Sequence, residues 1–198
     1  MKPILMFAAL VFCFSVPALV AAQENTYNHG EIGVYADYMR FTQSNPAINF
    51  VGVGGRLDFN LHPNVQLEAD MSYDFKRNFT NTFDNGISTS FATTRLRPLT
   101  GLFGPKFQAG ASGPFRAFLT AKLGFINFAS TNSLSGTAFA NQVGGITDGN
   151  TRFALYPGGG IEGFWGPFGL RLDVGDEIYF LNGARNNLKV GFGPAFRF

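Results

Sequence analysis

The stretch that decides the fold is the C-terminal one, Leu188-Lys-Val-Gly-Phe-Gly-Pro-Ala-Phe-Arg-Phe198. Leu188, Val190, Phe192, Pro194, Phe196 and Phe198 fall on one face, and Lys189, Gly191, Gly193, Ala195 and Arg197 on the other. A β-strand has period 2, so this is a strand with one greasy face and one small or polar face. Water-soluble chains usually end on polar, loosely held residues. A strand that closes a barrel in lipid can run to the last residue.

The same alternation recurs upstream. Ile32, Val34, Ala36 and Tyr38 oppose Glu31, Gly33, Tyr35 and Asp37. Val65, Leu67, Ala69, Met71, Tyr73 and Phe75 oppose Gln66, Glu68, Asp70, Ser72 and Asp74. Further strands are expected around residues 51–61, 93–107, 115–125, 151–164 and 168–177. Pro98, Pro105 and Pro157 obscure the register of two of these, because proline cannot donate to a sheet ladder. The count is about eight strands, each near the length of a tilted membrane strand. Short turns at residues 62–64, 108–113 and 165–167 alternate with longer polar connections at 42–49, 76–90 and 129–150, and a modest one at 181–186. The expected fold is therefore all-β: an eight-stranded antiparallel up-and-down transmembrane β-barrel, turns and both termini on the periplasmic side, loops outside.

The N-terminus has a secretory pattern. Lys2 precedes an apolar run, and Val20-Ala21-Ala22 supplies the small residues a signal peptidase reads. Residues 1–22 are expected to be a signal peptide and 23–198 the barrel domain. The single cysteine, Cys13, lies inside that signal, so the mature chain holds no disulfide. A formal net charge of +2 argues against nucleic acid as a partner. The mean hydropathy of +0.07 resembles a soluble protein, but a barrel hides its apolar band in alternation.

Which way the apolar face points follows from the opposite face. The inward set is read as Glu31, Asp37, Asp58, Glu68, Asp70, Asp74, Glu162, Asp173 and Glu177 with Arg56, Arg95, Arg97, Arg116, Lys122, Arg171, Lys189 and Arg197. The signs nearly balance, and eight staves leave room for side chains and little else. Buried charges must pair. A lumen charge network built on Arg56, Asp58, Glu68, Asp70, Arg116, Lys122, Arg171, Asp173, Lys189 and Arg197 is expected, with the broad apolar face turned to outer-membrane lipid. Tyr38, Tyr73, Phe75, Phe168 and Phe198 lie near strand ends, where aromatic girdles meet the membrane interface.

With these residues in view the chain resembles the small OmpA-like outer-membrane β-barrel domain. The resemblance rests on Gly52-Val-Gly-Gly-Arg-Leu-Asp-Phe59, on Leu102-Phe-Gly-Pro-Lys-Phe107 followed by Pro114-Phe-Arg-Ala-Phe118, on Gly158-Gly-Gly-Ile-Glu162 and on Gly191-Phe-Gly-Pro-Ala-Phe-Arg-Phe198. It implies a location in the outer membrane of a Gram-negative-type bacterium. It also implies a C-terminal aromatic strand read by the barrel-assembly machinery, which would give Phe198, with Phe196 and Phe192, the role of assembly signal. No peptidoglycan-binding segment follows Phe198, so the resemblance implies no anchoring to the cell wall.

Chemistry is sparse. The only histidines, His29 and His62, map to the turn side, away from any nucleophile at the outer rim. Gly158, Gly160 and Gly163 fit G-x-G-x-x-G, which means nucleotide binding only between a strand and a helix. Asn78-Phe79-Thr80 matches a glycosylation acceptor in an Asn-rich region. The acidic row Glu68, Asp70 and Asp74 could attract a cation but faces as many basic residues. No cofactor, metal ligand set or catalytic residue is assigned. The leading expectation is a non-enzymatic envelope barrel whose loops meet a surface ligand, residues 129–150 first. A narrow channel or transporter stays open because Phe103, Phe118 and Tyr156 are read as inward. A soluble secreted ligand-binding barrel is the third reading.

Overall fold

The computed structural model describes residues 29–42, 47–84, 89–110, 114–132 and 150–198. The expected signal peptide and most of the connection 129–150 lie outside the described residues. Nine strands follow one another: β1 (Gly30–Phe41), β2 (Ile48–His62), β3 (Val65–Asp74), β4 (Arg77–Asp84), β5 (Thr89–Ala109), β6 (Phe115–Asn132), β7 (Asn150–Trp165), β8 (Phe168–Phe180) and β9 (Ala184–Arg197). Every pairing is antiparallel, and each strand joins its sequence neighbour except at β3, which pairs with β5 while β4 pairs with β5 further along. β1 pairs with β9, which closes the ring. β3 and β4 are one stave broken at Phe75–Lys76: β3 lies between β2 and β5, and β4 continues upward on β5 alone. The result is a closed eight-stranded antiparallel barrel with no helix among the described residues.

Two expectations about connections are corrected. Residues 76–90, read as a loop, contain β4 and the start of β5, which pair from Arg77↔Leu96 to Asp84↔Thr89. Arg77 and Asn81 interrupt the face that carries Phe79 and Phe83, which hides the alternation there. The connection at 181–186 shrinks to a tight turn, Leu181–Gly183, closed by a Leu181 N–H donating to Gly183 O at 3.0 Å. Asn182 and Gly183 adopt φ of 51° and 120°, conformations that Asn and Gly tolerate best.

The prolines do not shift the register. Pairing of β5 with β6 skips Gly104 and Pro105 and resumes in phase at Lys106↔Thr120. Pairing of β7 with β8 skips Tyr156 and Pro157 and resumes at Gly158↔Gly175. Each proline removes one donor while the ladder on its other side holds it in line.

The outer wall is apolar. Leu119 and Phe115 are 71% and 70% exposed, and Val34, Leu57, Met71, Leu123 and Ile161 are exposed between them. Phe59, Phe107, Trp165, Phe168 and Phe198 ring the strand ends at the short turns. Tyr73, Phe75, Phe153 and Phe180 ring the other end, with Phe153 stacked on Phe180 at 5.9 Å. A soluble monomer rarely exposes so continuous an apolar surface. The phase of β5 corrects three inward assignments: its even-numbered residues face in, so Arg95, Arg97 and Phe103 face out.

Candidate functional site

Among the described residues, charged side chains of both signs converge in the lumen, and strand alternation puts them there. Near the short turns, Glu31 of β1 meets Arg116 of β6 at 3.5 Å, Lys106 of β5 at 3.7 Å and Arg197 of β9 at 4.0 Å. Arg197 also lies over the Phe164 ring, 3.2 Å from its centroid. At mid-height the buried Arg171 of β8 is a hub. It reaches Glu68 at 2.7 Å, Asp58 at 3.3 Å, Glu162 at 3.4 Å and Asp173 at 3.4 Å. Lys106 is bound to Glu162, Lys122 to Asp70 and to Glu68 at 2.7 Å, and Arg56 to Asp173 at 2.7 Å. Above them Lys189 holds Glu177 at 2.5 Å and Asp37 at 3.3 Å and donates to Ser72 Oγ at 2.8 Å. Asp74 is buried beside this group without a hydrogen-bond partner among the described residues.

Aromatic rings separate these ion pairs. Arg171 and Lys106 lie over the Phe118 ring at 4.2 and 4.8 Å, Arg56 over Tyr35 at 4.3 Å, and Lys122 over Tyr156 at 4.6 Å. The ring faces supply partial negative charge where no carboxylate fits. Glycines make the room: a Cβ on Gly160 would stand 2.0 Å from Leu172 O and 2.7 Å from the Phe118 ring. Gly158 and Gly163 share that strand, β7, which runs on into a turn and β8, so the glycine triplet does not sit in a strand–helix nucleotide site.

Toward the loops the lumen changes character. Met39, Phe41, Phe50, Leu96, Ile126, Phe128, Tyr179 and Leu181 form a buried apolar cluster. Phe41 stacks on Tyr179 at 6.4 Å, and Phe128 meets Tyr179 edge-on at 5.2 Å. Within the ion-paired layer, a space lined by Tyr35, Arg56, Asp70, Lys122, Asp173 and Lys189 amounts to about 10 Å³, room for one water molecule at most.

All ten residues of the expected charge set lie on the lumen side, and each touches an opposite charge. Two features were not anticipated. Lys106 lies next to Pro105, where the register was unreadable. The apolar plug has no polar face to reveal which side is inward. Phe118 and Tyr156 do face in. Phe192, Phe196 and Phe198 are on the outer wall, and Phe198 O accepts from the His29 N–H at 2.8 Å. His62 and His29 sit at the turn end, outside the lumen. Among the described residues no group of three His, Cys, Asp or Glu is placed to hold a metal ion.

The chain matches no protein-family model and no curated protein. Solved structures do match it. Ail, the attachment invasion locus protein of Yersinia pestis, aligns over 85% of this chain and 96% of its own at 14% identity and a TM-score of 0.51. Neisserial surface protein A aligns over 86% of this chain and 97% of its own at 12% identity and a TM-score of 0.53. The chain thus has the fold of the small eight-stranded outer-membrane barrels.

Proposed function

We propose that this protein is a non-enzymatic barrel of the bacterial outer membrane with a plugged lumen. It acts through its wall and its surface loops, not through a pore. The observation that carries the reading is the filling of the lumen: paired charges with a space of about 10 Å³ among them, and an aromatic plug toward the loops. The apolar outer wall with aromatics at both rims supports burial in lipid. In this reading residues 1–22 are removed on export and both ends of the barrel domain lie in the periplasm. Phe198, with Phe196 and Phe192, presents the closing strand to the barrel-assembly machinery. The connection expected at residues 129–150, whose first four residues belong to β6 and whose last begins β7, is the surface offered to a ligand outside the cell.

Planar-bilayer recording tests the plugged lumen. Purified, refolded protein should give no reproducible open-channel steps, and regular steps would overturn the reading. Fractionation tests the location. The protein should co-sediment with outer membranes and migrate faster on a gel unheated than boiled, whereas a soluble, non-shifting species would refute it.

A further inference from the structure

The apolar wall is not smooth. On the face made by β1, β2, β3 and β5 a groove of about 640 Å³ opens outward, lined by Ala36, Val53, Gly55, Met71, Tyr73 and Leu99 among others. That volume is within the roughly 300–1,000 Å³ of sites that hold small ligands. Its floor is low because Gly55 faces out with no side chain, opposite Val34 on one strand and Met71 on the other. The lining is almost wholly carbon.

The same four staves carry an unusual set of cations just beyond the groove. Tyr73 links the two features: it lines the groove, and its hydroxyl accepts from Arg97 Nη1 at 2.8 Å, with the guanidinium 4.8 Å over the ring. Arg95, the next outward residue of β5, is exposed. Arg40 is exposed at the loop end of β1, and Arg77 donates from Nε to Asn49 O at 3.0 Å, on the residue paired with Arg40. Lys76 is exposed beside it. Along the strands, Arg97 stands two residues beyond Leu99 and Arg40 four beyond Ala36, about 7 and 13 Å. Among the described side chains the acids of these staves offer no compensation. Glu31, Asp37, Asp58, Glu68, Asp70 and Asp74 are all turned into the lumen, and β5 contains none.

We infer that this face holds one phosphate-bearing lipid of the leaflet on the loop side: an acyl chain in the groove, its phosphates against Arg40, Arg95 and Arg97. Arginine forks match phosphate oxygens two at a time, and they gain strength beside a low-dielectric surface. Chain and headgroup are selected by different residues, so the two contributions separate. The inference rests on the wall facing lipid, as proposed above.

The test is native mass spectrometry of the detergent-refolded, heat-modifiable barrel with three probes: bis-phosphorylated lipid A, a phosphatidylcholine of equal chain length, and inorganic phosphate. Lipid A should be retained at least tenfold over phosphatidylcholine, and inorganic phosphate should not displace it. R40Q/R95Q/R97Q should erase that preference. Gly55→Leu should reduce retention of both lipids several-fold; a Cβ at Gly55 meets nothing nearer than Gly33 O at 3.8 Å, so the barrel itself tolerates the change. Equal retention of the two lipids, a preference that survives the triple variant, retention unchanged by Gly55→Leu, or displacement by free phosphate would each overturn the inference. So would a wild-type dimer abolished by Gly55→Leu, which would put a second copy in the groove. Only heat-modifiable protein enters the experiment, so failure here is distinct from failure of the membrane assignment.

Discussion

Replacing Arg171 by Met should destabilise the barrel severely, and the structure says where the cost falls. Arg171 contacts four carboxylates. Three of them keep a close cation when it is gone: Glu68 keeps Lys122 at 2.7 Å, Asp173 keeps Arg56 at 2.7 Å, and Glu162 keeps its bond from Lys106. Asp58 keeps only Lys106, at 3.9 Å. One buried carboxylate is thus left almost uncompensated, a loss of about 3–5 kcal/mol. With a urea dependence of about 2 kcal/mol per M, the unfolding midpoint should fall by roughly 2 M. Urea titration in detergent, read by the gel shift between folded and unfolded bands, measures it. Adding Asp58→Asn to Arg171→Met should return about 1–2 kcal/mol, because it removes the stranded charge. A stranded charge is refuted if Arg171→Met lies within about 1 kcal/mol of wild type, or if Asp58→Asn adds its full cost on top.

Deleting Phe198 should lower outer-membrane insertion far more than any substitution in residues 133–149, measured by assembled protein per cell; equal insertion would remove its role in assembly. Gly193→Leu should prevent barrel closure, since a Cβ there stands 2.0 Å from Val34 O across the β1–β9 seam, and the heat-shifted band should vanish. F41A/Y179A should cost several kcal/mol by emptying the plug, seen as a lower unfolding midpoint, while bilayer recordings should remain silent because the ion pairs below still fill the lumen. Conducting steps in that variant would show that the plug alone seals the barrel.

The period of 2 made the staves legible, because each has a polar face and an apolar face through mid-membrane. It failed where that contrast disappears. Near the loops, Met39, Phe41, Phe50 and Phe128 point inward while apolar residues also point outward, so alternation there carries no information about direction. Lys106 was hidden by Pro105, and Arg97 was placed on the wrong face because Pro98 concealed the phase of β5. Pairing between charges was not readable at all. The partners of Arg171 come from β2, β3, β7 and its own strand, and only the closed ring brings them to one point. The groove at Gly55 has the same origin, since it is a property of four neighbouring staves and not of any one.

The seam between β1 and β9 governs how such a chain can assemble. Gly33 pairs with Ala195, nearly the whole length of the domain away. The first strand therefore waits with one row of backbone N–H and C=O groups unsatisfied until the last strand arrives. Closing so long a loop is entropically slow, and an open edge in the meantime invites pairing with other chains. The seam runs from Arg40↔Leu188 to Glu31↔Arg197, and hydrogen bonds from His29 and Gly30 to Phe198 extend it beyond the ladder. Assembly has a deadline set by the arrival of β9, and a cell that makes this protein must shield its opening strand until then.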